Sequence, residues 1–276
     1  MAEIKAADVA KLRNMTGAGM MDCKQALTEA NGDFELAVDV LRKKGQKVAN
    51  KRADRAATEG AVIAGTTADN KNGSIIVLNC ETDFVAKNED FVKFAHSILK
   101  VALTKNPATL EELLSLDLNG VKISDEITNQ IGVIGEKLDL SYFEKISGEY
   151  VVAYIHPGNK LASVASFNQA NINPQVAKDV VMQIAAMNPI SIDKGDVPQS
   201  VIDKEIEIGK DLAIQEGKPV DMAEKIALGR LNKFYKESTL LNQQFVKDNK
   251  ITIGEYLNSA SKGLTVTSFK RFTLTI

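Results

Sequence analysis

Two stretches of this chain carry the same signals in the same order, and that duplication constrains the fold more than any other feature. Gly60-Ala-Val-Ile-Ala-Gly65 reads as a strand, Asp69-Asn-Lys-Asn-Gly73 as a turn and Ser74-Ile-Ile-Val-Leu78 as a buried strand. β-branched runs bounded by turn formers are the mark of a hairpin. A helix follows, with Asn88 at its N-cap, Glu89 and Asp90 suited to the dipole, and Phe91, Ala95, Ile98, Leu99 and Ala102 on one face. Further on come Gly148-Glu-Tyr-Val-Val-Ala-Tyr-Ile155, the turn His156-Pro-Gly-Asn-Lys160, the strand Leu161-Ala-Ser-Val-Ala165 and a helix through Val176, Val180, Ile184 and Ala185. Both copies end in Asn-Pro, at Asn106-Pro107 and Asn188-Pro189. They share hardly any side-chain identity, so the repeat is architectural: two related α+β subdomains side by side.

Ahead of the repeat the chain reads as a small helical module. Asp8 is placed to cap a helix carrying Val9, Leu12 and Arg13, which ends at Thr16-Gly17-Ala18-Gly19 because glycine readily takes the positive φ that closes a helix. A second helix from about Met20 buries Cys23, Ala26, Leu27 and Ala30. Asn31-Gly32 turns the chain, and Asp33 caps a third helix through Phe34, Ala37, Val38 and Leu41 that stops at Gly45. Three helices in roughly 45 residues bury only a small core and suit a recognition head. From Arg42 to Arg55 the chain is basic, with Arg42, Lys43, Lys44, Lys47, Lys51, Arg52 and Arg55 against Asp54 alone. This run reads as a solvated helical linker or as a patch facing an acidic partner.

After the second copy, residues 198–236 read as a helical hairpin. Pro198 fits N1, Ile202, Ile206 and Leu212 face one way, Gly217-Lys-Pro219 stops the first helix, and Asp221 caps the second with Glu224 three residues on. Its apolar stripes exceed what two helices bury against each other, so it is expected to meet the core or another chain. Residues 265–276 alternate β-branched and aromatic side chains and read as a final strand.

Composition removes whole classes of function. Thirty-four Lys and Arg against 36 Asp and Glu leave a net charge of −2, too even for a chain whose main partner is nucleic acid. The two histidines, His96 and His156, stand far apart with no Cys or His at ligand spacing, and the two cysteines, Cys23 and Cys80, form no disulfide framework. No nucleophile elbow, H-E-x-x-H, C-x-x-C or Walker loop occurs. Gly17-Ala-Gly-Met-Met-Asp-Cys-Lys24 fails as a phosphate loop, lacking a glycine before Lys24 and carrying Gln25 where Ser or Thr should stand. No run approaches the roughly 20 apolar residues of a membrane span, and the start has no apolar signal region. Trp is absent and aromatics are 5%, too few for stacking on single strands. The expectation is a cytoplasmic protein with no cofactor or metal, no membrane contact and no direct nucleic-acid contact; no catalytic residue is recognised, and an enzyme would need chemistry that these motifs do not show.

One segment resists a purely structural account. Glu81-Thr82-Asp83-Phe84-Val85-Ala86-Lys87 lies between a strand and a helix cap and so reads as a loop, yet it sets Phe beside Val. Either Phe84 folds back on its own core, or it forms an Asp-Phe wedge aimed at a partner protein. Met20 and Met21 cannot both face one small core, so one is expected at the surface, where Met adapts to binding. His156 stands at a hairpin tip, as a surface contact or as plain turn chemistry.

Residues 12–27, Leu-Arg-Asn-Met-Thr-Gly-Ala-Gly-Met-Met-Asp-Cys-Lys-Gln-Ala-Leu, and 82–91, Thr-Asp-Phe-Val-Ala-Lys-Asn-Glu-Asp-Phe, resemble the two signature blocks of the bacterial elongation factor Ts family. Ala185-Ala-Met-Asn-Pro189, Gly217-Lys-Pro219, Gly229-Arg-Leu-Asn-Lys-Phe234 and Phe245-Val-Lys-Asp248 support it, in order along essentially the whole chain. The resemblance implies an α+β fold: a three-helix ubiquitin-associated-like head with its basic linker over 1–54, and a core N-subdomain over 55–147. A core C-subdomain over 148–276, carrying the hairpin 198–236, completes it, with small antiparallel sheets in the core. It implies guanine nucleotide exchange on elongation factor Tu in translation elongation, bound with GDP or nucleotide-free, and a homodimer through the hairpin. Partner-binding residues would be Arg13, Met20 and Met21 in the head, Thr82, Asp83, Phe84 and Val85 in the wedge, and His156 toward another domain of the partner. Many members carry a further C-terminal helix, which a chain stopping at Ile276 would lack. A ubiquitin-associated-like adaptor without exchange activity, or an RNA-binding ribosome-associated protein using Lys43–Arg55, are the alternatives.

Overall fold

The computed structural model describes residues 4–274. The head is built from α1 (Ala6–Thr16), α2 (Met20–Glu29) and α3 (Phe34–Arg52). Leu12, Cys23, Leu27 and Ala37 are its solvent-free centre. Gly17 (φ 72) closes α1 and Asp33 caps α3 through the Leu36 N–H. Two expectations are corrected here. Lys5, not Asp8, is the N-cap of α1, and Asp8 lies in its first turn, where its charge still meets the helix dipole. And α3 does not stop at Gly45 but runs to Arg52, because Gly45 is buried against a core helix rather than freed at an end. The basic run from Arg42 is therefore largely the second half of α3.

Each sequence repeat becomes a three-stranded antiparallel sheet. The first contains β1 (Glu59–Thr66) and β2 (Asn72–Cys80), followed by α4 (Asp83–Ala86), α5 (Glu89–Lys105), α6 (Leu110–Ser115), the two-residue strands β3 (Asp117–Leu118) and β4 (Val121–Lys122), and α7 (Ile123–Ile134). β5 (Asp139–Ser147) then returns to complete the order β1-β2-β5. The second contains β6 (Tyr150–Ile155) and β7 (Leu161–Phe167), followed by α8 (Pro174–Met187), the helices α9 (Gln199–Gln215) and α10 (Val220–Ser238), the hairpin of β8 (Gln244–Phe245) and β9 (Asp248–Thr252), and α11 (Ile253–Ala260). β10 (Val266–Thr273) closes that sheet as β10-β7-β6. In both copies the second hairpin strand is central and a late strand pairs its free edge.

The sheets pack face to face because strand residues alternate between two cores. Val62, Ala64, Ile75 and Val77 meet Val151, Ala162 and Val164 between the sheets. Ala61, Ile63, Ile76 and Leu78 turn the other way onto α5 and α7, while Ala165 and Phe167 turn onto α8 and α11. Hence the strands read as unbroken apolar runs. The likeness extends to the backbone. Val62 N–H donates to Asn159 O at 2.7 Å, and Val151 N–H, at the same place in the other copy, donates to Asn70 O at 2.6 Å. Asn70 and Asn159 both sit in the left-handed region of their hairpin turns, with φ 54 and 56. Asn106 and Asn188, of the two Asn-Pro pairs, close α5 and α8 in that same conformation.

The helical hairpin α9–α10 is present, with its start signals displaced. Pro198 and Pro219 are the N-caps, so Pro198 is not at N1, and Asp221 lies inside the first turn of α10 without a capping box. Gly209, Ala213, Ala223, Ala227 and Leu231 line the buried seam. Ile208, Leu212, Ile214, Val220, Met222 and Leu228 remain exposed.

Candidate partner-binding site

Four consecutive candidates lie on one turn of helix. Thr82–Val85 is not a loop: Thr82 is the N-cap of α4, its hydroxyl accepting the Val85 N–H at 3.4 Å. That turn separates the side chains. Ala86 is buried and Val85 packs on the core beneath α5, whereas Phe84 is 83% exposed. Phe84 therefore does not fold back on its own core. Asp83 forms an ion pair with Lys87 at 2.6 Å. The Lys87 hydrogen bond, reinforced by the charge of Lys160, holds the Asp83 carboxyl below the usual aspartate range.

The base of this turn is fastened from several directions by residues distant in sequence. Glu136 Oε2 accepts the N–H groups of Glu81 and Thr82 at 3.1 and 3.0 Å, and its Oε1 accepts the Thr82 hydroxyl at 2.6 Å. Glu81 accepts the Lys137 N–H at 2.7 Å and the Arg52 guanidinium at 2.8 and 2.9 Å. That amide, together with Arg52, lowers the Glu81 carboxyl below its ordinary value. Burial pushes the Cys80 thiol up to about 12, so it stays protonated and bonds Thr82 O at 3.2 Å. Arg52 and Glu136, distant in sequence, were not legible as part of this region, and Glu81 and Lys87 stood in the segment without a sign of what they hold. Only the Asp83–Lys87 spacing, four residues apart, carried a local signal.

The tertiary structure also brings His156 to this end of the molecule. Its turn is tied to β1 by the Asn159–Val62 bond and by the Lys160–Glu59 ion pair at 2.8 Å. Glu59 pairs with Cys80, the residue from which the α4 segment departs. His156 is exposed, with Nδ1 2.9 Å from the Tyr154 hydroxyl. Arg13, Met20 and Met21 lie on the head and are all exposed, Met21 at 75%. Both methionines thus face outward, since Cys23, Ala26 and Leu27 already fill the face of α2 turned to the small core. Met15 and Leu36 add exposed apolar surface on the same module. The head reaches the α4 region through α3, whose last residue, Arg52, holds Glu81.

Among the described residues, no group of His, Cys, Asp and Glu is placed to hold a metal ion, and no helix is long and apolar enough to cross a membrane. What the site offers is an exposed aromatic side chain on a fastened platform, with exposed Met and Arg side chains on a separate module.

Comparison with known proteins gives this arrangement a family. The sequence model of the family described as Elongation factor TS matches residues 81–275, beginning at the Glu81 fastening. Elongation factor Ts of Porphyromonas gingivalis is 54% identical over 270 residues, 97% of this chain and 97% of that protein. That of Flavobacterium psychrophilum is 52% identical over 275 residues, 99% of this chain and all of its own length. That of Chloroherpeton thalassium is 45% identical over 275 residues, 97% of this chain and 95% of that protein. With a family match over most of the chain and such identity along nearly its full length, the chain belongs to the elongation factor Ts family.

Proposed function

We propose that this chain is a guanine nucleotide exchange factor for elongation factor Tu, acting in translation elongation in the cytoplasm without an active site of its own. The observation that carries the reading is Phe84: a large apolar side chain, 83% exposed, on a platform fastened by Glu136 and Glu81. An aromatic ring left in water is stabilising only once a partner covers it. Phe84, with Asp83 beside it and Thr82 and Val85 anchoring the turn, enters the nucleotide-binding domain of the partner. There it displaces the elements that hold Mg²⁺ beside the GDP phosphates. The metal bridges and neutralises those phosphates, so losing its ligands weakens GDP binding. Arg13, Met20 and Met21 dock the head on the same domain, and His156 meets another domain.

Exchange is reciprocal coupling between two ligands of one protein, each weakening the other. Burying a Phe side chain is worth about 2–3 kcal/mol, and about 1.4 kcal/mol is tenfold. Stopped-flow release of labelled GDP from elongation factor Tu tests the reading. Phe84→Ala is expected to slow release by about one to two orders of magnitude at a given concentration, while the free protein melts unchanged. Normal exchange by this variant would discard the wedge.

A further inference from the structure

We infer that Glu136 is the positioning residue of the exchange reaction: its carboxylate holds Thr82 so that Phe84 is presented as a stiff wedge. The inference rests on the reading of Phe84 given above. α4 is four residues long, far too short to hold its own shape, since isolated helices of even a dozen residues are marginal in water. Something outside it must fix its start. The N-terminal N–H groups of a helix have no intrahelical partner, and one side chain takes the two amides leading into this turn. Glu136 accepts from Glu81 N–H, Thr82 N–H and the Thr82 hydroxyl at 3.1, 3.0 and 2.6 Å. Hydrogen bonds to an ionised acceptor are about twice as strong as neutral ones.

Glu136 is itself well supported. It follows Gly135, the left-handed C-cap of α7, so its backbone is fixed by a helix packed into the core through Ile123, Ile127 and Ile131. The next residue, Lys137, gives its amide to Glu81 and its ammonium to Ala53 O just beyond α3, each at 2.7 Å. The end of α7 thus joins the core, the head helix and the wedge. A ring on a loose turn would lose part of its binding free energy to ordering on insertion; a held turn loses none of it. Glu136 thereby sets how much of the binding is converted into weakening of GDP, leaving docking by the head intact.

This separates maximal rate from affinity, and the experiment reads both. GDP release from elongation factor Tu is followed over a concentration series of the full chain for wild type, Glu136→Ala, Glu136→Gln and Phe84→Ala, with thermal melts of each. Glu136→Ala is expected to lower the saturating release rate by about tenfold, with the half-saturating concentration changed by less than about threefold. Glu136→Gln should recover most of that loss, since its amide oxygen still accepts both backbone N–H groups. A wild-type saturating rate for Glu136→Ala, beside a slow Phe84→Ala, overturns the proposal and leaves the wedge standing. Equal losses in both Glu136 variants, each tracking a lowered melting temperature, overturn it in favour of a purely structural residue. A wild-type rate for Phe84→Ala removes the wedge itself and the proposal with it. Should Glu136→Ala not fold, Glu136→Asp decides, since it draws the carboxylate back by one methylene from both backbone N–H groups and leaves the Thr82 cap of α4 in place: an unchanged saturating rate overturns the proposal, and a lowered one at an unchanged melting temperature supports it.

Discussion

Gly132 of α7 lies directly against Gly45 of α3: a Cβ built on Gly132 would sit 2.7 Å from the Gly45 Cα. The head helix and the core helix therefore cross in backbone contact, closer than any side chain permits. Gly132→Ala must push the helices apart, an overpacking that costs about 1–3 kcal/mol. The expected result is a lowered denaturation midpoint together with weaker binding to elongation factor Tu, because the head is re-aimed relative to Phe84. Wild-type stability and affinity for this variant would show that the crossing is not fixed.

Met21 tests docking by the head separately from the wedge. It is 75% exposed, so Met21→Asp places a charge in water in the free protein and should leave its melting temperature within a degree or so. In the complex that charge would be desolvated against an apolar contact, and affinity should fall by about tenfold or more. A variant that unfolds the head would instead return Met21 to the core of the module.

The C-terminal half of the core holds a buried carboxylate whose protonation can be read in stability. Asp179 is buried, which by itself would raise its pKa. The bonds it accepts from Lys247 at 2.7 Å, Tyr256 at 2.9 Å and Gln175 at 2.7 Å prevail, and its pKa is lowered. A depressed folded-state pKa gives stability that is present above the ordinary aspartate value of about 3.9 and lost as pH falls through the lower folded value. Burial, with the bond to Asp179, raises the Tyr256 hydroxyl to about 12, so its contribution is intact below about pH 10 and fades from there towards pH 12. Urea midpoints measured across pH should fall at both ends for the wild type. In Asp179→Asn the acid limb should be shallower; an identical acid limb would show that Asp179 does not titrate as described.

The hairpin α9–α10 keeps Leu212, Met222 and Leu228 in water while its seam is filled by Gly209, Ala213, Ala223 and Ala227. Gly209 sits so close that a Cβ there would lie 3.0 Å from the Ala227 Cα. With the seam already closed, the exposed apolar positions are free for a second copy in a two-fold contact. Sedimentation equilibrium at micromolar concentration should show a dimer that Leu212→Glu with Leu228→Glu dissociates without lowering the melting temperature. A wild-type protein that is monomeric throughout removes this expectation.

Some of this structure is written locally and some is not. The hairpin strands, their asparagine turns and the caps at Asn88 and Asp33 depend on residues a few positions apart, and these were legible. The capping box of Thr252 and Glu255 at the start of α11 was equally local, yet passed unread. β5, 60 to 75 residues beyond the strand partners that order it, carried no signal of its own: its burial alternates only in part, and its place is set by the open edge of β2.

The same division runs through the binding region. The amino-acid order alone marked Thr82–Val85 as unusual, because an apolar pair between strand and cap is hard to place in water. It could not decide whether Phe84 or Val85 turned inward, nor that the segment was helical. Those outcomes were decided by Glu136, Glu81 and Arg52, brought together from separate parts of the chain. Likewise Gly45 reads as a helix stop until Gly132 lies against it. Sequence by itself determined the local preferences of this protein: period, turn and cap. The tertiary structure decided which of two open local states was taken, because a short helix or a mid-helix glycine is nearly balanced in isolation, and a distant carboxylate or packed backbone is enough to tip it.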